Sequence, residues 1–398
     1  MKKLISFMLC AAIVITGVAT AYAADNAQEK KPELAAAVDM DFTGTPIKLS
    51  LEAAVKRMQS EGVRAEELKA NDLKDKSVAS GYSEAVISIR DSLNSSLNRE
   101  DIGGFSSSQY TTADEKSKKL SRDFAKANLK NNHEAEINKI EQDAVDMYYG
   151  VLLAQENVKS ARDNLSIQES LLSNVQKKLD AGVAAKKDLL SQQASVTEAR
   201  SRLDGAKAAL NGLKMNFNIT MGYPLTQAVD LADTLEEAKA PDVSLEQAIK
   251  NAKENRMELK DASLQMQIQE IALNNLGLTV ATNSAAYLRA QVTYMNLKQA
   301  ADNAPLQMEM DIRNQYMGLA EKSSALKSAR ESLDFAKESL HLAQISYDAG
   351  VSTLTDVQNA QLAAFRSSQS LSSAIKDYNL AVNNFKFAQG AGTKRVPL

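Results

Sequence analysis

The chain has 398 residues, with 47 basic and 50 acidic side chains and a formal charge of −3, a balance that argues against a nucleic-acid partner. Aromatic residues make up 5 %, tryptophan is absent and prolines number 6. Such a composition disfavours thick globular cores and suits long, thin helical assemblies whose buried surface is a seam.

Residues 1–23 read as an export signal. Lys2 and Lys3 open it, Leu4 to Val18 form a short apolar run, and Ala21-Tyr22-Ala23 supplies the cleavage site, leaving Ala24 first. Cys10 is the only cysteine and lies inside that run, so the exported chain is expected to have no thiol and no disulfide. Residues 24–48 are expected to form an extended N-terminal segment.

A helix start follows at Ser50, in Leu49-Ser50-Leu51-Glu52-Ala53-Ala54, and a matching one at Ser244, in Val243-Ser244-Leu245-Glu246-Gln247-Ala248. Both serines sit where an N-cap belongs. The insert Ser77 to Thr112 holds the strand-like run Ala85-Val86-Ile87-Ser88-Ile89. The Ser/Gly-rich stretch Gly103-Gly104-Phe105-Ser106-Ser107-Ser108 follows it. Gly103-Gly104 lacks the Lys-Ser/Thr that a phosphate loop needs.

From about Ala113 to Ala181 the spacing predicts one helix roughly 100 Å long. Val158, Ala161, Leu165, Gln168, Leu172, Val175 and Leu179 step by threes and fours along it, a period that keeps one stripe against a neighbour. Gly182 then turns the chain back. The return arm, Ala184–Gly222, buries Leu203, Ala206, Leu210, Leu213 and Phe217 in this reading. Residues 223–243, with Pro224 and Pro241, form a non-helical linker.

A second helix group opens at Ser244 and reaches about Leu276. Leu278-Thr279-Val280-Ala281-Thr282 and the alternation of Leu288, Ala290, Val292 and Tyr294 with Arg289, Gln291 and Thr293 resemble strands. Leu288, Gln291, Val292 and Met295 also fit a helix, which is the better fit. Another helix of nearly 100 Å is expected from Ser284 to Ala349. Its seam is Leu326, Ala329, Leu333, Ala336, Leu340, Ala343 and Tyr347. The return arm Ser352–Gly390 (Leu371, Ala374, Tyr378, Ala381, Phe385) and a tail, 391–398, complete the chain.

The two halves repeat. Asp180-Ala181-Gly182-Val183 recurs as Asp348-Ala349-Gly350-Val351, 168 positions on, and Ile140–Gly222 aligns without a gap on Met308–Gly390. Identical residues fill 23 of those 83 positions, enough to indicate a duplicated helical hairpin. The units are therefore 49–222 with a tip near 182, and 244–390 with a tip near 350.

Nothing in the sequence reads as a catalytic or metal site, and no cofactor is expected. His133 and His341, the only histidines, stand at non-equivalent places with no His-x-x-x-His or Cys pair. The serines lack a Gly-x-Ser-x-Gly elbow. The fold class expected is all-α or nearly so, in duplicated long antiparallel coiled-coil hairpins.

The Ser-Leu-Glu starts, a Tyr in the long helix (Tyr148, Tyr316), the Gly-centred turn followed by an acid six residues later (Asp188, Asp356) and the closing Gly222 and Gly390 resemble the TolC-like outer-membrane efflux protein family. The pattern is clearest from Tyr347 to Gln361. The resemblance implies a homotrimer with a twelve-helix periplasmic tube and a twelve-stranded barrel in the outer membrane. A periplasmic adaptor would dock it to an inner-membrane transporter. It also implies adaptor docking at Ala181, Gly182, Val183, Ala349, Gly350 and Val351. Asp356 would line an acidic aperture, with Asn359 where relatives can carry a second acid and Asp188 in the polar links that hold the tips shut. Read from the residues alone, Thr353-x-x-Asp356 is first a helix-capping pair, which by itself would explain an acid there.

Both inserts are too short for two membrane strands and a loop, and neither carries an aromatic girdle. The barrel is therefore expected to be absent or vestigial. The alternative function is a structural or tethering helical protein of the cell envelope without channel activity. A periplasmic adaptor fits less well, because its lipoyl-like and strand-rich regions are missing.

Overall fold

The computed structural model describes residues 40–100 and 109–398. The export signal, most of the extended segment 24–48 and the Gly103–Ser108 stretch lie outside the described residues. In chain order the elements are β1 (Thr43–Leu49), α1 (Leu51–Ser60), α2 (Val63–Glu100), α3 (Thr112–Asp180) and α4 (Lys186–Thr220). There follow β2 (Gln227–Leu231), α5 (Leu245–Asn255), α6 (Met257–Gly277), α7 (Ala285–Asp348) and α8 (Leu354–Ala388).

Local chemistry explains the helix starts. The Ser50 hydroxyl accepts from the Ala53 amide at 3.2 Å and Ser244 from the Gln247 amide at 3.2 Å, each satisfying an amide the helix leaves free. Thr111 and Asp114 form a reciprocal capping box at the start of α3. The two long helices contain 69 and 64 residues, about 100 Å each.

Each long helix is flanked by two shorter ones. Helix α3 packs on α2 over one half and α4 over the other, while α7 packs on α6 and α8. Helix α3 also packs on α8 and α6, joining the halves. The hydrophobic seam of α7 is a clean heptad, Ile312, Leu319, Leu326 and Leu333, all buried.

Two larger cores sit at the waist. One gathers Leu49, Met58, Ile140, Tyr148, Val151, Phe217, Met221 and Val229 from β1, α1, α3, β2 and the end of α4. The other joins Ala248 and Ile249 of α5 to Met308, Ile312, Tyr378 and Phe385. Tyr148 anchors the first. Its hydroxyl donates to the Leu49 carbonyl (2.9 Å) and the Asp233 carboxylate (2.8 Å), and that carboxylate accepts from the Leu51 amide at the start of α1. Burial, then the Asp233 carboxylate, pushes the phenol pKa well above the ordinary tyrosine value.

Strands β1 and β2 pair in parallel and make the only sheet among the described residues. None of the three strand-like runs of the sequence becomes a strand, and residues 278–282 form part of the turn between α6 and α7. Residues 85–89 lie inside α2, where Val86 and Ile89 are buried and Ile87 faces out. Buried positions three apart are a helical period, and the Val-Ile-Ser-Ile wording is overridden by packing against α3. Residues 288–294 lie inside α7. Leu213, expected in the seam, is 40 % exposed. Tyr316, the counterpart of buried Tyr148, is 38 % exposed with its ring 5.6 Å from that of Phe385.

Candidate functional site at the hairpin tips

Helices α3 and α7 end in the same way. Gly182 and Gly350 both have φ of +75°. The amide of Val183 reaches the Lys178 carbonyl and that of Val351 reaches the Ser346 carbonyl, each at 2.9 Å, the pattern that closes a helix on a left-handed residue. Ala181 and Ala349, the residues before these glycines, are exposed. Val183 and Val351 are 75 % and 82 % exposed, so each tip presents an apolar side chain to solvent.

The return helices begin with caps. Asp356 accepts from the Thr353 amide (2.8 Å) and hydroxyl (2.7 Å), while the Asp356 amide donates to the Thr353 hydroxyl oxygen at 3.3 Å. The Thr353 hydroxyl, then its amide, holds the Asp356 carboxyl below the usual carboxylate range. In the first hairpin Asp188 accepts from the Ala185 amide at 3.3 Å, with no hydroxyl partner because residue 185 is alanine. Asn359 is exposed one turn beyond Asp356. Asp356 and Asp188 are thus both engaged as capping groups.

The two tips meet through Lys178, a residue that sequence reasoning missed. Its ammonium donates to the Tyr347 carbonyl at 3.1 Å, lies 3.3 Å from the Asp348 carboxylate and sits 3.7 Å from the Tyr347 ring centroid. Burial raises the Tyr347 phenol pKa, with Asp188 and Asp348 adding to it.

Behind this clasp Leu171, Val175, Leu354 and Val357 form a small core. A polar layer comes next. The Gln192 amide nitrogen donates to the Gln168 side chain at 2.7 Å, and Gln358 donates to Gln192 at 2.9 Å. Gln361 donates to Asn164 at 3.1 Å. Of these only Gln168 was legible as a seam residue. The others are recognisable only once the hairpins are side by side.

Along α3, Gln142, Ser160 and Asn164 meet Asn384, Ser368 and Gln361 of α8 in turn, so α3 runs antiparallel to α8 and parallel to α7, and the N-terminal ends of the two long helices point away from the tips. His133 pairs with Asp72 at 2.9 Å in that half, and His341 is exposed. No group of three or more metal-ligating side chains stands among the described residues.

No family model and no curated protein sequence matches the chain. Solved structures do. A structure of CusC, a protein that forms a transmembrane channel, matches with a TM-score of 0.65 at 12 % identity, covering 86 % of this chain and 92 % of that one. The outer membrane protein VceC of Vibrio cholerae gives 0.58 at 13 % identity, covering 86 % and 97 %. The MtrE outer membrane channel of Neisseria gonorrhoeae gives 0.59 at 14 %, covering 87 % and 90 %. With its paired long helices, glycine-turned tips and, among the described residues, only two short strands, the chain has the TolC-like fold of the outer-membrane efflux proteins.

Proposed function

We propose that this chain is one protomer of an export conduit, three copies of which close into a helical tube. The observation that carries it is a second apolar stripe on α7. Leu306, Met310, Met317, Phe335, Leu342 and Ile345 are each more than half exposed. At 100° per residue they fall on the side of the helix opposite the buried Ile312–Leu333 seam. The far flank of the protomer also exposes apolar groups, Leu190 and Ile219 on α4 and Leu73 and Ile87 on α2. Two different apolar flanks on one subunit make a head-to-tail contact, which gives a closed ring when successive copies are turned by a third of a circle.

In this reading the exported chain stands in the periplasm and at the outer membrane. The tips at residues 181–183 and 349–351 meet a periplasmic adaptor of an inner-membrane transporter. Threefold symmetry would gather three Asp356 carboxylates, with Asn359 beside them and Asp188 nearby, at the narrow end and focus a negative field there. The Lys178 clasp would hold that end shut. The assembly state of the purified exported chain tests the reading: a stable trimer is expected, and a monomer at micromolar concentration contradicts it.

The two-stranded sheet favours a second reading, a tether that stands in the envelope without conducting. Planar-bilayer recording separates the two. The conduit reading expects channel events, with Asp356→Ala raising conductance or weakening cation block. A trimer that never inserts supports the tether.

A further inference from the structure

Beyond α8 the tail, residues 391–398, lies along the first repeat. The Gly392 carbonyl accepts from the Asn138 side chain at 2.9 Å, and Val396 reaches Asn132 and Asn128, further toward the start of α3. The tail therefore runs antiparallel to α3. Asn132 accepts from the Val396 amide at 2.9 Å and donates to the Val396 carbonyl at 3.0 Å. Its second N–H goes to Asp75 of α2 at 2.8 Å. Asn128 adds a bond to the same carbonyl at 3.4 Å. Arg395 pairs with the Asp75 carboxylate, and its Nε lies 3.8 Å from Glu136.

A coiled-coil seam does not need these groups. Asp75, Asn128 and Asn132 are all buried, and buried polar groups cost stability until each is bonded. The second hairpin does without two of them. Carried along the same helices, the 168-residue repeat sets Ala300 and Ala304 where α3 has Asn132 and Glu136. A side-chain amide that gives and takes a hydrogen bond with one residue reads an extended main chain as a strand edge does. The carboxylates of Asp75 and Glu136 then select an arginine beside it.

We propose that the cleft between α2 and α3 is a binding site for an extended Arg-Val peptide, and that the chain's own tail is a detachable strap that fills it. Among the described residues, 391–398 make no backbone–backbone hydrogen bond. Side chains alone hold the segment, so it can leave the cleft without unravelling a helix or a sheet. While seated, it ties the end of the second repeat to the first, roughly 70 Å along α3 from the tip. Once it leaves, the cleft accepts a segment of another polypeptide that places a small branched residue after an arginine. Neither the trimer nor channel activity is needed for this.

A tethered tail faces the cleft at an effective concentration on the order of millimolar, so a free peptide finds the site filled. Arg395→Glu sets a carboxylate against Asp75 and Glu136 and should empty it. Anisotropy of a fluorescein-labelled peptide of residues 390–398 should then show one saturable site per Arg395→Glu chain. Binding to the unchanged chain should be at least about tenfold weaker. Alanine in place of Arg395 in the peptide should weaken binding at least about twentyfold. No binding by an Arg395→Glu chain of unchanged helix content, or equal binding of the two peptides, overturns the proposal. Hydrogen exchange on the unchanged chain tests it without a variant. Amides of the tail should be protected relative to the free peptide, yet exchange at least about tenfold faster than those around Tyr148. A tail as unprotected as the free peptide, or one that exchanges only together with that core, also overturns it.

Discussion

Tyr148 and Asp356 show how single side chains carry this fold. The Tyr148 hydroxyl ties the end of β1 to Asp233, which in turn caps α1. Tyr148→Phe strands part of that network and should cost about 1–2 kcal/mol by urea denaturation, whereas Tyr316→Phe should cost little. The raised Tyr148 pKa adds a pH signature. Below the ordinary tyrosine value of 10.0 its contribution is complete. As pH rises above that value the unfolded chain releases the proton first, so stability falls. Asp356 behaves in the reverse sense. Its depressed pKa gives stability that is present above 3.8 and is lost as pH falls below it. Thr353→Ala, which removes the hydroxyl half of the same cap, should cost about 1 kcal/mol. At this scale the glycine turns and the Thr353–Asp356 cap were legible because their partners lie within five residues. Lys178 was not, since its partners Tyr347 and Asp348 belong to the other hairpin and only packing brings them near.

At the level of elements, the long helices could be read closely from their seams. The expected spans of 113–181 and 284–349 compare with Thr112–Asp180 and Ala285–Asp348. The tips depend on backbone freedom alone. A Cβ at Gly182 or Gly350 would meet nothing within 4 Å, so Gly350→Ala pays only for its positive φ. The expected loss is about 1 kcal/mol, and thermal unfolding of single and double alanine variants would check it. The run at residues 85–89 was ambiguous for a physical reason. Its β-branched content suggests a strand, and only the three-residue step between buried Val86 and Ile89 identifies a helix. The clasp between hairpins gives a further test. Lys178→Met removes the bond to the Tyr347 carbonyl and the pairing with Asp348, so the distance between spin labels on the two tips should broaden and lengthen. An unchanged distribution would mean that the core around Val175 and Val357 holds the tips without it.

For the whole molecule, the decisive feature is that α7 has apolar residues on two sides. One side is spent inside the subunit, and the other waits at its flank. Composition foretold thin helical architecture, and the 168-residue repeat foretold two hairpins. Neither could show which exposed residues form a continuous stripe, because that depends on which side of α7 the subunit itself occupies. If copies pack through this stripe, Phe335→Glu should convert the assembly to monomer while leaving helix content unchanged by circular dichroism. The most direct test is electron cryo-microscopy of the chain lacking residues 1–23, purified without crosslinking. A threefold ring of twelve helices around an open lumen, with the α7 stripe against α4 and α2 of the next subunit, is the predicted image. Isolated subunits, or a closed bundle with no lumen, would contradict it.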